Sequence, residues 1–106
     1  MNYKVDYSKD AIKDLKKFND AQKDQIFAAI EKVSTNPLPQ NEGGLGKPLG
    51  NKQGRNLTGL CKIVLKKMGI RIIYELIRTD TIMQIIVIAA RADEEVYDIA
   101  ERRINR

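Results

Sequence analysis

The sequence predicts an α+β domain, in which an N-terminal helical hairpin packs on one face of a four-stranded antiparallel sheet and a C-terminal helix completes the order β-α-α-β-β-β-α. Apolar residues recur at helical spacing through residues 11–33 and again after residue 93. Residues 57–90 instead contain three strand-length apolar stretches separated by short turns. The 106 residues suffice for one hydrophobic core, so residues 1–106 are expected to form a single domain.

The N-terminal third of the chain predicts a strand followed by two helices. Residues 3–7 alternate between apolar and polar side chains, which is typical of a half-buried strand. Ser8 is placed to cap a short amphipathic helix, and Asp20 to cap a second helix that ends at Asn36 and Pro37. The apolar faces comprise Ala11, Ile12, Leu15 and Phe18 in the first helix and Ile26, Ala29, Ile30 and Val33 in the second. Two successive helices predict a helical hairpin.

Residues 37–56 are predicted to form a long loop, because they hold all three prolines of the chain and several of its glycines. Within this loop, Gly46 and Lys47 resemble the end of a phosphate-binding P-loop. However, Asn41 occupies the position of the first glycine, and Pro48 occupies that of the required serine or threonine. We therefore exclude a P-loop.

The second half of the chain predicts an antiparallel meander. Its three strands are Leu57–Lys66, Ile70–Ile77 and Thr81–Ala90. A left-handed Gly69 would close the first hairpin and set its register. That register pairs Leu65 with Ile70, Ile63 with Ile72 and Cys61 with Tyr74. One face of the hairpin is then wholly apolar or aromatic, and Cys61 is expected to pack in the core rather than to act as a nucleophile.

The opposite face of this hairpin is predicted to be basic and to lie on a surface away from the core. It carries Lys62 and Arg71 on neighbouring strands. Arg71 interrupts a run of isoleucines, where an unpaired cation is costly unless that face is open to solvent or to a ligand. An ordinary solvated surface is the alternative interpretation of these alternating cations.

A last helix is predicted after Arg91, with Asp93 as its N-cap. The side of this helix that would face the sheet or a partner comprises Val96, Ile99 and Arg103. Tyr97 is expected to point elsewhere. It would either stack on a nucleic-acid base or be an ordinary half-buried tyrosine.

The composition excludes several kinds of catalytic and metal site. The chain has no histidine and a single cysteine, so a Ser-His-Asp triad, a histidine base and a Cys/His zinc site are ruled out. We expect no metal and no cofactor. The net charge of +5, from 19 Lys and Arg against 14 Asp and Glu, favours an anionic partner such as nucleic acid.

The location expected from the sequence is the cytoplasm. The lone thiol cannot form an internal disulfide, and residues 1–20 contain no apolar run typical of a signal peptide. The longest apolar stretch, residues 82–90, falls far short of the roughly 20 residues that span a bilayer. No membrane segment is therefore expected.

Lysine and arginine alone can act on a phosphodiester, because the charge that develops during its cleavage is negative. Lys62, Arg71 and Arg91 are the candidate cations. An isolated lysine is a poor general base at neutral pH. Like-charged arginines nearby are expected to lower the pKa of Lys62 and so to make it a better base.

Five segments of the chain follow one another in a recognisable order. They are YKVDYS at residues 3–8, AIKDLKK at 11–17, KPL at 47–49, KIVLKKMGIRIIY at 62–74 and RADEEVY at 91–97. Together they resemble the RelE/ParE toxin superfamily, most closely its RelE-like branch, and they cover nearly the whole chain. The resemblance implies the RelE-like fold.

The resemblance further implies a bacterial toxin that enters the ribosomal A site and cleaves messenger RNA without a metal. The 2′-hydroxyl would attack the adjacent phosphate, leaving a 2′,3′-cyclic phosphate and a 5′-hydroxyl. By position, the resemblance implies that Lys62 is the general base and that Arg71 holds the scissile phosphate. It also implies that Arg91 stabilises charge or protonates the leaving oxygen, and that Tyr97 stacks on or orients the nucleotide.

Two positions depart from the family pattern. Val64 stands where ribosome-dependent members often carry a second lysine, and Ala90 stands where a basic residue is common. Lys66 and Lys67 are expected to bind RNA and to compensate for the lost charge. The implied partners are a cognate antitoxin, the ribosome and messenger RNA.

Two other functions remain open from the sequence. The first is a ParE-like protein that poisons DNA gyrase by binding, without any RNA-cleaving residues. The second is a catalytically silent relative that binds only its antitoxin or RNA, for which Val64 is the strongest argument.

Overall fold

The computed structural model describes residues 2–105 and contains a five-stranded sheet with helices on both faces. Its helices and strands are, in chain order, β1 (Lys4–Tyr7), α1 (Lys9–Leu15), α2 (Asp20–Ser34), β2 (Lys47–Lys52), β3 (Arg55–Leu65), β4 (Ile70–Ile77), β5 (Ile82–Ala89) and α3 (Asp93–Ile104). Short 3-10 helices at Gln40–Glu42 and Lys66–Met68 precede β2 and β4. The predicted α+β class is confirmed.

The sheet has one strand more than predicted, and one of its pairings is parallel. The strand order is β1-β5-β4-β3-β2. β1 runs parallel to β5, whereas every other neighbouring pair is antiparallel. The prediction of a four-stranded, purely antiparallel sheet is therefore wrong in these two respects.

The additional strand, β2, lies in the segment that the sequence predicts to be a loop. It is an edge strand, and its register against β3 shifts between Pro48 and Gly50. Gly50 has a φ of 59°, a left-handed conformation that favours glycine. Proline and glycine are tolerated at such edges and irregularities, although they are typical of loops elsewhere. The loop-like composition of this segment is therefore the reason that the sequence did not predict β2.

The predicted hairpin between β3 and β4 is confirmed, including its register. Leu65 pairs with Ile70, Ile63 with Ile72 and Cys61 with Tyr74. Gly69 closes the hairpin in the left-handed conformation, with a φ of 64°. Cys61 is buried in the core, as expected from this register.

The N-terminal helices begin with side-chain caps, one of which is a different residue from the one predicted. Ser8 Oγ accepts a hydrogen bond from the Ala11 amide at 3.1 Å, which confirms the first cap. Asp20 is not the second cap, because Asn19 holds that position and accepts from the Gln22 amide at 2.8 Å. The Gln22 side chain in turn accepts from the Asn19 amide at 2.9 Å, forming a capping box.

The two faces of the sheet bury separate apolar cores. α1 and α2 cover the face that carries Cys61 and Tyr74, whereas α3 packs on the opposite face. The core under α3 contains Leu49, Leu57, Leu60, Ile73, Ile86, Val87, Val96, Tyr97 and Ala100. The predicted basic face is therefore not an open surface, because α3 covers it. Tyr97, which was expected to point away from the sheet, lies in this core with 7% of its surface exposed.

Candidate active site

The predicted cations meet beneath the first turn of α3. Lys62 on β3 pairs across the strands with Ile73, and Arg71 on β4 pairs with Val64. Lys62 and Arg71 are therefore diagonal neighbours on one face of the sheet, because alternate residues of a strand share a face. This confirms that the two cations share a surface, although α3 rather than solvent lies over Lys62.

Lys62 is a buried lysine whose charge is satisfied within the protein. Its side chain is only 8% exposed, and its Nζ donates to the Tyr97 hydroxyl at 2.8 Å. The same Nζ lies 3.2 Å from Asp93 Oδ2 and 5.4 Å from the centre of the Tyr97 ring. A buried ammonium group requires such partners, because an unpaired charge in the interior is strongly unfavourable. Tyr97 and Asp93 together therefore hold Lys62 in its charged form.

This environment shifts the pKa of Lys62 upward, whereas the sequence predicted a downward shift. Burial alone would lower the pKa of Lys62, but the hydrogen bonds to Tyr97 and Asp93 outweigh burial and raise its pKa above the usual value. The expectation that neighbouring arginines lower this pKa is wrong, because a carboxylate lies between the two cations. Lys62 is therefore protonated at neutral pH.

Arg71 is oriented by three acceptors and keeps one side of its guanidinium group available. Its Nε donates to Asp93 Oδ1 at 2.6 Å. Its Nη1 donates to the carbonyl oxygens of Arg91 at 2.8 Å and Gly69 at 3.3 Å. Within residues 2–105, no acceptor contacts its Nη2. The Nη2 protons are therefore the donors that an incoming oxyanion can bind.

Asp93 is the residue between the two cations that the sequence interpretation missed. It was predicted to cap α3, but the N-cap is Ala92, and Asp93 is the first residue of the helix. Its carboxylate instead bridges Lys62 and Arg71. Partial burial would raise the pKa of Asp93, but hydrogen bonds from Arg71 and Lys62 outweigh burial and lower its pKa below the usual value. Its side chain is 42% exposed, so this ionised carboxylate is accessible to solvent.

The side chains of Lys62, Arg71, Asp93 and Tyr97 form one bonded cluster. The side chains of the other predicted site residues lie around this cluster. Arg91 joins it through its backbone carbonyl, while its side chain is 60% exposed and reaches Glu95 at 3.3 Å. Arg91 also lines a groove of about 540 Å³ between α1, the end of β5 and α3. Lys66 and Lys67 are exposed in the turn that precedes Gly69. They adjoin the cluster along the chain, but neither lysine side chain forms a hydrogen bond or ion pair with Lys62, Arg71, Asp93 or Tyr97.

Replacing Tyr97 with phenylalanine is expected to lower the free energy of unfolding by about 2 kcal/mol, because Lys62 would lose a buried hydrogen-bond acceptor. Urea unfolding monitored by circular dichroism measures this change. Tyr7→Phe is the matched control, since the Tyr7 hydroxyl makes no hydrogen bond within residues 2–105 and its ring packs against Phe27 and the core, which phenylalanine preserves. An equal loss in both variants would contradict the role of the Tyr97 hydroxyl.

Within residues 2–105, no group of three or more His, Cys, Asp or Glu side chains could hold a metal ion. No helix in this range is long and apolar enough to cross a bilayer.

Known proteins resemble this chain in sequence and in fold. Residues 5–95 match the family model of the ParE toxin of type II toxin-antitoxin systems. A RelE-like toxin protein of Escherichia coli is 25% identical over 104 residues, which cover 98% of this chain and 99% of that protein.

Solved structures of Escherichia coli RelE share the fold. An arginine double mutant of that toxin in the free state is 23% identical, with a TM-score of 0.74 over 98% of this chain and 99% of the other. The same mutant bound to an antitoxin peptide is 22% identical, with a TM-score of 0.70 over 94% of this chain and 95% of the other. The RelE-like fold predicted from the sequence is thereby confirmed.

Proposed function

This chain belongs to the RelE/ParE superfamily of type II toxin-antitoxin toxins, and from that membership we propose that it is an endoribonuclease that cleaves messenger RNA on the ribosome. The observation that carries the proposal is the convergence of Lys62 and Arg71 on the Asp93 carboxylate, with Arg71 also bound to the Arg91 carbonyl. Preorganised cations of this kind stabilise the negative charge that develops on a phosphate undergoing attack.

The proposed reaction uses the RNA's own 2′-hydroxyl. A bond forms between O2′ and the adjacent phosphorus as the bond from phosphorus to O5′ breaks, giving a 2′,3′-cyclic phosphate and a 5′-hydroxyl. The five-coordinate phosphorus of the transition state carries more negative charge than the substrate. The cations of the site can supply this stabilisation, so the proposal requires no metal or organic cofactor.

Each candidate residue takes a role consistent with its contacts. Arg71 offers its Nη2 protons to the scissile phosphate, and Lys62 adds a fixed positive charge beside it. Arg91, with its exposed side chain, neutralises charge on the phosphate or on the leaving oxygen. Tyr97 positions Lys62 through its hydroxyl, since its ring is buried between α3 and the sheet.

Lys66 and Lys67 are proposed to bind the RNA backbone next to the cluster. Both are exposed in the turn that leads into β4 and Arg71. Contacts of this kind add affinity that falls as salt concentration rises, and they do not select a base sequence.

The proposed partners are the ribosome, messenger RNA and a cognate antitoxin. A related toxin structure contains a bound antitoxin peptide, and another is that of the intact toxin-antitoxin complex. We propose that this chain is likewise neutralised by an antitoxin in the cytoplasm. The net charge of +5 suits both RNA and an acidic protein segment.

Induction of the chain in growing bacteria tests the proposed activity. We expect growth arrest and new messenger ends inside translated codons, mapped by primer extension, with 2′,3′-cyclic phosphates on the upstream fragments. Co-expression of the antitoxin should suppress both effects. Intact messengers together with DNA breaks that depend on gyrase would instead support the gyrase poison. That second candidate is favoured by the match to the ParE family model.

A further inference from the structure

RNA cleavage by 2′-hydroxyl attack needs a group that accepts the hydroxyl proton, and the cations of the site cannot provide it. Lys62 is held as an ammonium ion, which has no lone pair, and its side chain is only 8% exposed. Arginine does not lose its proton in proteins. Tyr97 is buried, and its hydroxyl oxygen already accepts from Lys62. The proton acceptor must therefore be another group.

We propose that Asp93 is the general base that removes the 2′-hydroxyl proton, an inference that rests on the RNA cleavage proposed above. An ionised carboxylate acts only as an acceptor, and each of its oxygens has a second lone pair beyond the one that Lys62 or Arg71 occupies. Its side chain is 42% exposed, so a ribose hydroxyl can reach it from solvent. Asp93 would then be a catalytic residue that contacts the reacting atom.

The position of Asp93 relative to Arg71 suits this role. Asp93 contacts Arg71 at Nε, and the Nη2 protons lie beside Nε on the same edge of the planar guanidinium group. A phosphate bound at Nη2 would therefore lie next to the carboxylate. In RNA the 2′-oxygen is the neighbour of the phosphorus that it attacks. The Arg71 guanidinium group can thus align the phosphate with the Asp93 carboxylate, the general base that activates the 2′-hydroxyl.

In the proposed step, Asp93 and bulk water together exchange the protons that the reaction requires. Asp93 takes the proton from O2′ as the bond from O2′ to phosphorus forms. The bond from phosphorus to O5′ breaks, and the departing O5′ takes a proton from water. The hydroxide left behind removes the proton from Asp93 and restores the carboxylate. Lys62 and Arg71 remain charged throughout.

The pH dependence of cleavage distinguishes Asp93 from a lysine base. The charged groups that contact Asp93 are Lys62 of β3 and Arg71 of β4, and these two cations keep its pKa low. Asp93 is therefore ionised throughout the neutral range. We expect the single-turnover cleavage rate of the wild-type chain on ribosome-bound messenger to change less than about threefold between about pH 6 and 8.5. A lysine base would instead raise the rate about tenfold per pH unit, which would overturn the proposal.

Asp93→Asn provides the second measurement, in the same assay. We expect the cleavage rate to fall about 100-fold, the loss typical of a missing general base, and the residual rate to rise with pH as hydroxide replaces the carboxylate. Asp93→Glu should retain part of the activity. Asp24→Asn is the matched control, because Asp24 is exposed on α2, which covers the opposite face of the sheet. Its rate should equal that of the wild type.

The outcomes separate this inference from the proposed function. A wild-type chain that leaves ribosome-bound messenger uncut would refute the nuclease itself. A wild-type chain that cleaves, with Asp93→Asn equally or more active, would refute only the general base and would make Asp93 a competitor of the phosphate for Arg71. Circular dichroism verifies that Asp93→Asn is folded. If it is not folded, the pH profile of the wild type decides the question.

Discussion

Replacing Arg71 with alanine is expected to lower the rate of messenger cleavage by about 1000-fold and to abolish growth arrest on induction. Arg71 donates to Asp93 and to the Arg91 carbonyl and has its Nη2 protons available for the phosphate. The substitution therefore removes the phosphate contact and also the group that orients the proposed base. Single-turnover cleavage of ribosome-bound messenger measures the loss directly.

The fold should survive this substitution, because the Arg71 side chain is 25% exposed and Lys62 still pairs with Asp93. The matched control is Arg78→Ala, which removes an arginine immediately after the same strand. Arg78 is 52% exposed and pairs with Glu42, away from the cluster. Its cleavage rate should equal that of the wild type. Undiminished cleavage by a folded Arg71→Ala chain would remove Arg71 from the mechanism.

Local sequence patterns predicted those parts of the fold whose geometry depends on residues close together in the chain. The hairpin of β3 and β4 was predicted with its register, because Gly69 can adopt the left-handed conformation and the apolar alternation on both strands agrees with it. By contrast, β2 is stabilised by its pairing with β3. Its Pro48 and Gly50 are residues that disfavour a strand, so the local sequence does not predict one. The parallel pairing of β1 with β5 joins residues almost 80 positions apart, and no short-range pattern encodes it.

The candidate site was predicted in part, for a related physical reason. Strand alternation was enough to place Lys62 and Arg71 on one face. Their electrostatic environment depends on where α3 lies, and the amphipathic pattern of a helix does not specify which sheet face it covers. For this reason the sequence did not indicate that Asp93 lies between the two cations. Two cations on a face that a helix covers require an anion, and the acidic start of that helix, from Asp93 to Glu95, was the available signal.

The position of Asp93 depends on how α3 packs against the sheet. Ion pairs along this helix stabilise that packing. Near its middle, Asp98 pairs with Arg55 at 2.5 Å. Near its C-terminal end, Arg103 pairs with Asp14 of α1 at 2.7 Å and also donates to the Ile86 carbonyl at 2.7 Å. The contact with Asp14 is the most buried of these, because only 7% of the Asp14 side chain and 18% of the Arg103 side chain are exposed.

Replacing Asp14 with asparagine is expected to lower the free energy of unfolding by about 3 kcal/mol and the melting temperature by more than about 10 °C. Three donors converge on this carboxylate, namely Arg103 Nη1 and Nη2 and the buried Ile88 amide at 3.0 Å. Asparagine offers one accepting oxygen, and its amide group faces a donor. The largely buried Arg103 therefore loses its nearer counterion and keeps only Asp10, at 3.9 Å. Thermal and urea unfolding measure the change.

A double-mutant cycle tests whether this loss belongs to the ion pair between Asp14 and Arg103. Arg103→Met alone should be similarly destabilising, because it leaves the Asp14 carboxylate buried without its partner. The double variant should then lose less than the sum of the two single losses, since each substitution removes the same interaction. Glu42→Gln, which breaks an exposed ion pair with Arg78, is the control and should leave the melting temperature unchanged. Strict additivity would mean that the two residues stabilise the protein independently, and α3 would then be held mainly by its apolar core.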